Sequence, residues 1–79
     1  MRNVVYSLTS HCGEYKAEVE RRSNGVLEVI PYKWTRDQIP DYGMDEFWQE
    51  IRFMSSFTDT LDRAMELARE KIHRLGGAA

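Results

Sequence analysis

The chain is poor in the residues that staple or catalyse. Its 79 residues include one cysteine, Cys12, two histidines, His11 and His73, and two prolines, Pro31 and Pro40. A lone thiol excludes an internal disulfide framework and fits a reducing compartment. One cysteine and two histidines without CxxC or HxxxH spacing offer no metal centre. A Gly-rich phosphate loop is absent. Apolar runs extend only a few residues, too short to span a membrane, and Met1-Arg-Asn-Val-Val-Tyr-Ser-Leu8 lacks the long apolar segment of a secretory signal. The expectation is a cytoplasmic, non-membrane protein without cofactor or metal.

What is present reads as one small globular domain over residues 1–79, 42% hydrophobic and 30% charged, with a net charge of −2. Val4–Thr9 alternates and predicts a first strand, followed by a polar break at Ser10–Gly13. Glu14–Arg22 alternates again, Ser23-Asn24-Gly25 interrupts, and Val26–Trp34 resumes. Asn-Gly favours a two-residue type I′ turn, which would set Arg21 opposite Glu28, Val19 opposite Ile30, Ala17 opposite Tyr32 and Tyr15 opposite Trp34. In that register Tyr15, Ala17, Val19, Ile30, Tyr32 and Trp34 share one face. The other face holds Lys16, Glu18, Glu20, Arg22, Leu27, Val29, Pro31 and Lys33, with Pro31 suggesting an edge or a bulge.

Thr35–Gly43, containing Pro40 and Gly43, reads as a loop. Met44–Gln49 reads as one helical turn, and Glu50–Phe57 as a short fourth strand or a continuation of that helix. The C-terminal segment is a helix over Asp59–Leu75, capped by Thr58 and closed by Gly76-Gly77. Its predicted apolar stripe is Leu61, Ala64, Met65, Ala68, Ile72 and Leu75, with Asp59–Arg63 and Glu70–Arg74 as i,i+4 pairs on the wet side. The stripe and the aromatic hairpin face predict an α+β fold: a three- to four-stranded antiparallel sheet with the C-terminal helix packed on one face.

Chemistry has little to work with. His11-Cys12 beside Glu14 is the one nucleophile–base grouping, but neighbours on an extended chain point apart and no oxyanion motif accompanies them. The expectation is not an enzyme. Arg2, Lys16, Arg21, Arg22, Lys33 and Arg36 with Tyr32 and Trp34 resemble a basic–aromatic nucleic-acid surface, yet the predicted register sends both aromatics to the core. Direct nucleic-acid binding is therefore not expected.

The remaining signal is Asp37–Glu50, which holds five carboxylates, Asp37, Asp41, Asp45, Glu46 and Glu50, and no base. Without it the chain has 8 acids against 11 bases, a remainder of +3. Tyr42, Phe47 and Trp48 lie among the acids. This pattern predicts a partner-binding surface of Asp37, Asp41, Tyr42, Asp45, Glu46, Trp48 and Glu50 that docks on something positive; the alternative is that Phe47 and Trp48 plug the end of the core and Asp41, Asp45 and Glu46 are solubilising charges. A monomer is expected, although Leu27 and Val29 on the free face leave self-association open.

The compact single domain, the Asn24-Gly25 hairpin, the helix Asp59–Leu75 and the carboxylates Asp37, Asp41, Asp45, Glu46 and Glu50 together resemble small phage-encoded anti-CRISPR proteins that act on type I effector complexes. The resemblance implies a stoichiometric inhibitor in a bacterial host cytoplasm. It would bind the Cascade effector complex through acidic side chains in Lys/Arg-lined channels and block target-DNA binding. The net charge of −2 is far from that of strong DNA mimics, so a local patch would have to act. A second resemblance, carried by strand–turn–strand and then Ser-Phe-Thr-Asp-Thr-Leu-Asp-Arg-Ala, is to the antitoxin half of HicA/HicB-type systems and to double-stranded-RNA-binding folds. It implies an RNA- or toxin-binding module using Arg69, Lys71 and Arg74.

Overall fold

In a computed structural model that describes residues 3–41 and 43–76, strands β1 (Val4–Thr9), β2 (Tyr15–Arg21), β3 (Leu27–Ile39), β4 (Gly43–Glu50) and β5 (Ser56–Thr58) form one antiparallel sheet. Helix α1 (Leu61–Arg74) packs on one face, giving the expected α+β fold. The strand order is β1-β2-β3-β4, with β5 pairing β3 in line beyond β4. The predicted residues Arg2, Tyr42 and Gly77 lie outside the described residues.

The central hairpin turns differently from expectation. Arg22 N–H donates to Val26 O (2.8 Å) and Gly25 N–H to Arg22 O (2.9 Å), so Ser23-Asn24-Gly25 is a three-residue loop. Gly25 has φ +86°, the left-handed position that closes such a loop, and Asn24 Oδ1 accepts from Val26 N–H (3.0 Å). The extra loop residue shifts the register by one from the two-residue expectation. Arg21 opposes Leu27, Val19 opposes Val29, Ala17 opposes Pro31 and Tyr15 opposes Lys33. Every β3 side chain thus changes face relative to β2.

This correction moves the core. Ala17, Val19, Leu27 and Val29 are buried against Ala64, Ala68 and Ile72 of α1, with Val5, Tyr6, Leu8 and Leu67 around them. Leu27 and Val29, expected on the free face, lie under the helix. Burying side chains of this size contributes roughly 1.5–3 kcal/mol each. Ile30, Tyr32 and Trp34 instead join Lys16, Glu18, Glu20 and Glu28 on the face away from the helix. Ile30 and Tyr32 are nevertheless buried, as are Glu20 and Glu28. Glu28 forms ion pairs with Arg22 and with Arg52 (3.5 Å), so charged side chains roof the second face.

β3 does not stop at Trp34 but runs to Ile39, so the loop expected at Thr35–Gly43 shrinks to a turn at Pro40-Asp41, and Met44–Gln49 is strand rather than the expected helical turn. Glu50–Phe57 divides into a 3₁₀ turn, Arg52–Met54, and the short β5. Pro31 accounts for the division. Its missing N–H faces the β4/β5 side, since the bonded Arg22–Val26 and Glu14–Trp34 pairs leave position 31 unbonded to β2. β4 pairing ends at Tyr32–Glu50 and β5 pairing begins at Val29–Ser56, with Ile51 N–H donating to Pro31 O (2.9 Å) between them. Proline is thereby accommodated in a central strand at the one gap in its ladder.

α1 also starts later than expected. Thr58 belongs to β5, and Thr60 is the cap, its hydroxyl accepting from Arg63 N–H (3.4 Å). Gly76, at φ +96°, closes the C-terminus. Arg63 pairs with Glu66 (2.9 Å) and Glu70 (3.8 Å). Leu61 and Met65 of the predicted stripe are exposed, while Lys71 is buried and Leu67 packs at the margin. Lys71 Nζ donates to Met54 O and to Ser56 Oγ (2.7 Å), tying α1 to the segment that follows β4. Burial, aided by the Arg74 charge and opposed by Glu70, lowers the Lys71 ammonium below the ordinary lysine value of 10.5.

Ile72→Ala should cost roughly 2–5 kcal/mol in chemical denaturation. Gly25→Ala should cost about 1 kcal/mol or more, because alanine is strained at positive φ. For Lys71 the unfolded chain binds more protons between the lowered native value and 10.5. The stability it confers is complete above the unfolded value and declines as pH falls toward the native one. The free-energy difference between wild type and Lys71→Met should therefore move in favour of wild type as pH rises from neutrality toward 10.5.

Candidate partner-binding surface

β2 pairs with β3 only as far as Lys33. After a last bond on that side from Trp34 N–H to Glu14 O (2.7 Å), Thr35–Ile39 pairs with β4 alone, a two-stranded arm of about 17 Å at ~3.3 Å per residue. The molecule is accordingly elongated, with extents of 45 × 29 × 19 Å. Isolated two-stranded ribbons are marginal, so this one needs cross-strand support. At its base Trp34 and Trp48 meet edge-to-face, ring centroids 5.1 Å apart. Thr35 Oγ1 donates to Gln49 Oε1 (3.1 Å) and Arg36 Nε to Glu46 Oε1 (3.2 Å) further out. Asp41 adopts φ +72° in the tip turn.

The strand pleat divides the candidate residues between two faces. Asp37 and Asp45 stand directly opposite each other, beside the opposed Thr35 and Phe47. Glu46, Trp48 and Glu50 point the other way, opposite Arg36, Trp34 and Tyr32. Asp41 is exposed at the tip, and Tyr42 lies outside the described residues. The expected acidic surface is thus not one patch. Glu46 is neutralised by Arg36, and Glu50 by Arg52 (2.7 Å). Among the described residues no ion pair holds Asp37, Asp41 or Asp45. Like charges placed opposite one another on adjacent strands destabilise the pair, so Asp37–Asp45 is a local cost to the arm.

The other arm face continues into the sheet face away from α1. Lys16 Nζ lies 5.1 Å from the Tyr32 ring centroid and 4.6 Å from that of Trp48, and 3.3 Å from Glu18. The basic–aromatic grouping considered from sequence is therefore partly assembled away from the core, contrary to the predicted burial of Tyr32 and Trp34 beneath the helix. Glu18, Glu28, Glu46 and Glu50 share this face and pair with Lys16, Arg22, Arg36 and Arg52, so its cations are already engaged and not free for a polyanion.

Sequence reading missed Arg52, which bridges Glu28 and Glu50, and the aromatics that follow it. Phe53 is 90% exposed on the 3₁₀ turn and Phe57 64% exposed on β5. The legible signal for the arm was Pro40-Asp41 and Gly43 between two alternating runs, the punctuation of a hairpin. Away from the arm, Cys12 is exposed and its thiol lies 3.2 Å from Ser10 Oγ. That hydrogen bond, with one from the Glu14 backbone, lowers the thiol below its ordinary value. Among the described residues no cluster of three or more His, Cys, Asp or Glu is placed to hold a metal ion.

No protein-family model, curated protein or solved structure matches this chain.

Relieving the carboxylate opposition should stabilise the arm. Asp45→Asn is expected to raise the unfolding free energy by about 0.2–1 kcal/mol at pH 7 and low salt. Trp48→Ala should accelerate amide hydrogen exchange across Thr35–Ile39 while leaving β2 protected, because it removes the Trp34–Trp48 contact that bridges β3 and β4.

Proposed function

We propose that the chain is a non-enzymatic protein-binding inhibitor that inserts its β3–β4 arm into a basic, nucleic-acid-binding surface of a partner protein. The observation that carries this reading is the Asp37–Asp45 pair: two opposed carboxylates on a projecting arm, without a compensating cation among the described residues. A basic partner would relieve their mutual repulsion on binding, so the local cost in the free protein becomes differential affinity in the complex. Phe47, on the same face, supplies apolar contact area beside the charges. On the opposite face Trp48 and Trp34 keep the ribbon rigid, which limits the ordering cost of docking.

Type I CRISPR effector complexes, which the sequence resemblance suggests, are the specific partner of this reading. There the arm would occupy a Lys/Arg-lined path otherwise taken by target DNA. The antitoxin-like and RNA-binding alternative draws on Arg69, Lys71 and Arg74. It is less well supported, since Lys71 is buried with its ammonium committed to Met54 and Ser56.

The test is retention of a type I effector complex on the immobilised chain, with target-DNA binding measured in the same sample. Wild type is expected to retain the complex and exclude DNA. Reversal of both charges (Asp37→Lys with Asp45→Lys) should weaken retention at least tenfold while the circular dichroism spectrum is unchanged. Undiminished retention by the folded double variant would overturn the arm assignment. Recovery of RNA or a small toxin in place of the complex would overturn the partner.

A further inference from the structure

The two long edges of the sheet are guarded very differently. β4 carries Asp45, Glu46 and Glu50, charges that deter pairing with another strand of the same kind. β1, Val-Val-Tyr-Ser-Leu-Thr, carries no charge and no proline. A bulge between Val4 and Tyr6 disturbs its start, but Tyr6–Thr9 pairs regularly with β2. Ser10 N–H donates to Tyr15 O (2.8 Å), which makes that pair a bonded one. By alternation Leu8–Ala17 and Tyr6–Val19 are bonded too, and the N–H and C=O groups of Ser7 and Thr9 point away from the sheet. β1 thus presents an uncharged edge with which no other strand pairs among the described residues.

Its surroundings on the helix side are apolar. Val5, Tyr6 and Leu8 are only half-buried against the core. Met65 is 37% exposed, and at 3.6 residues per turn it stands roughly 120° around α1 from Lys71. Lys71 reaches toward β5, so Met65 lies on the flank toward β1. Leu27 and Val29, the pair that suggested self-association in the sequence, are sealed beneath α1 and play no part.

We propose that β1 pairs antiparallel with β1 of a second copy, forming a continuous two-molecule sheet with a twofold axis at Ser7. A second copy is the occupant that the edge fits. Centring on Ser7 brings outward-facing backbone groups of identical strands into bonded register without opposing any like charges. Pairing of β1 with the β4 edge would be head-to-tail and would not close, whereas the twofold arrangement satisfies both β1 edges at once. The Met65 flanks of the two helices then face each other across the paired β1 strands, on the same side of the sheet. Each arm, on the opposite edge, stays free, so the dimer would present two arms pointing away from each other. This departs from the monomer expected from sequence and does not depend on the identity of any partner.

Sedimentation equilibrium of the full chain, under reducing conditions to exclude a Cys12 cross-link, tests the proposal across micromolar to millimolar concentration. The expected result is reversible conversion from the chain mass to twice that mass. Ser7→Lys, which places like charges on the axis, should weaken the dimer at least tenfold while leaving the dilute chain's circular dichroism and thermal midpoint in place. Ser7→Pro, which removes an outward donor but no β1–β2 bond, should do the same. A wild type that stays at the chain mass throughout overturns the proposal. So does a folded Ser7→Lys variant that dimerises as tightly as wild type, which would place self-association elsewhere.

Discussion

The register of the β2–β3 hairpin is the constraint on which the rest depends. A loop of three residues, closed by Gly25 in the left-handed region, sets Val19 against Val29 and Ala17 against Pro31. Those side chains, with Leu27, become the floor on which Ala64, Ala68 and Ile72 of α1 rest. Alanine at two of the three helix positions lets the helix approach the sheet closely, and branched β3 side chains fill the space beneath. A two-residue turn would put Ile30, Tyr32 and Trp34 there instead. They are larger, and Leu27 and Val29 would then be left in water.

The same register makes the second face. Ile30 and Tyr32 remain buried without a helix because charged side chains close over them. Glu28 sits between Arg22 and Arg52, Arg52 also holds Glu50, and Lys16 spans Tyr32 and Trp48 beside Glu18. Long side chains use their apolar stems as cover while their charged ends pair above. The chain thus has one dry face built by a helix and one roofed by ion pairs. The small amount of helix available to a 79-residue chain is spent on one side.

Pro31 is the second organising residue. By denying β3 one donor it ends β4 and starts β5, and the intervening 3₁₀ turn delivers Arg52 to the second face and Met54 O to Lys71. β3 continues past this gap, so the arm shares a strand with the core and is fixed in direction by it. The division of charge on the arm then follows from the pleat. One face is internally neutralised by Arg36 and Arg52, and the other keeps the opposed Asp37 and Asp45. That opposition weakens the free ribbon, and it is the basis on which we propose an external basic partner for the arm.

Much of this was determined by sequence alone: β1 and its break, the existence of the central hairpin, the C-terminal amphipathic helix, and the concentration of acid in Asp37–Glu50. These are local signals, set by alternation, helical spacing and composition, and they hold whatever packs against them. Three things were decided only in the tertiary structure. The register was one, because Ser23-Asn24-Gly25 is compatible with both a two- and a three-residue loop, and burial of Leu27 and Val29 by α1 favours the longer. The strand state of Thr35–Glu50 was another. Its alternation is short and interrupted, and it is held in place by the continuation of β3 and the Trp34–Trp48 contact between segments distant in sequence. The third was which carboxylates remain unpaired. Composition counts charges, but only the pleat and the positions of Arg36 and Arg52 determine that, among the described residues, Glu46 and Glu50 are neutralised while Asp37 and Asp45 are not.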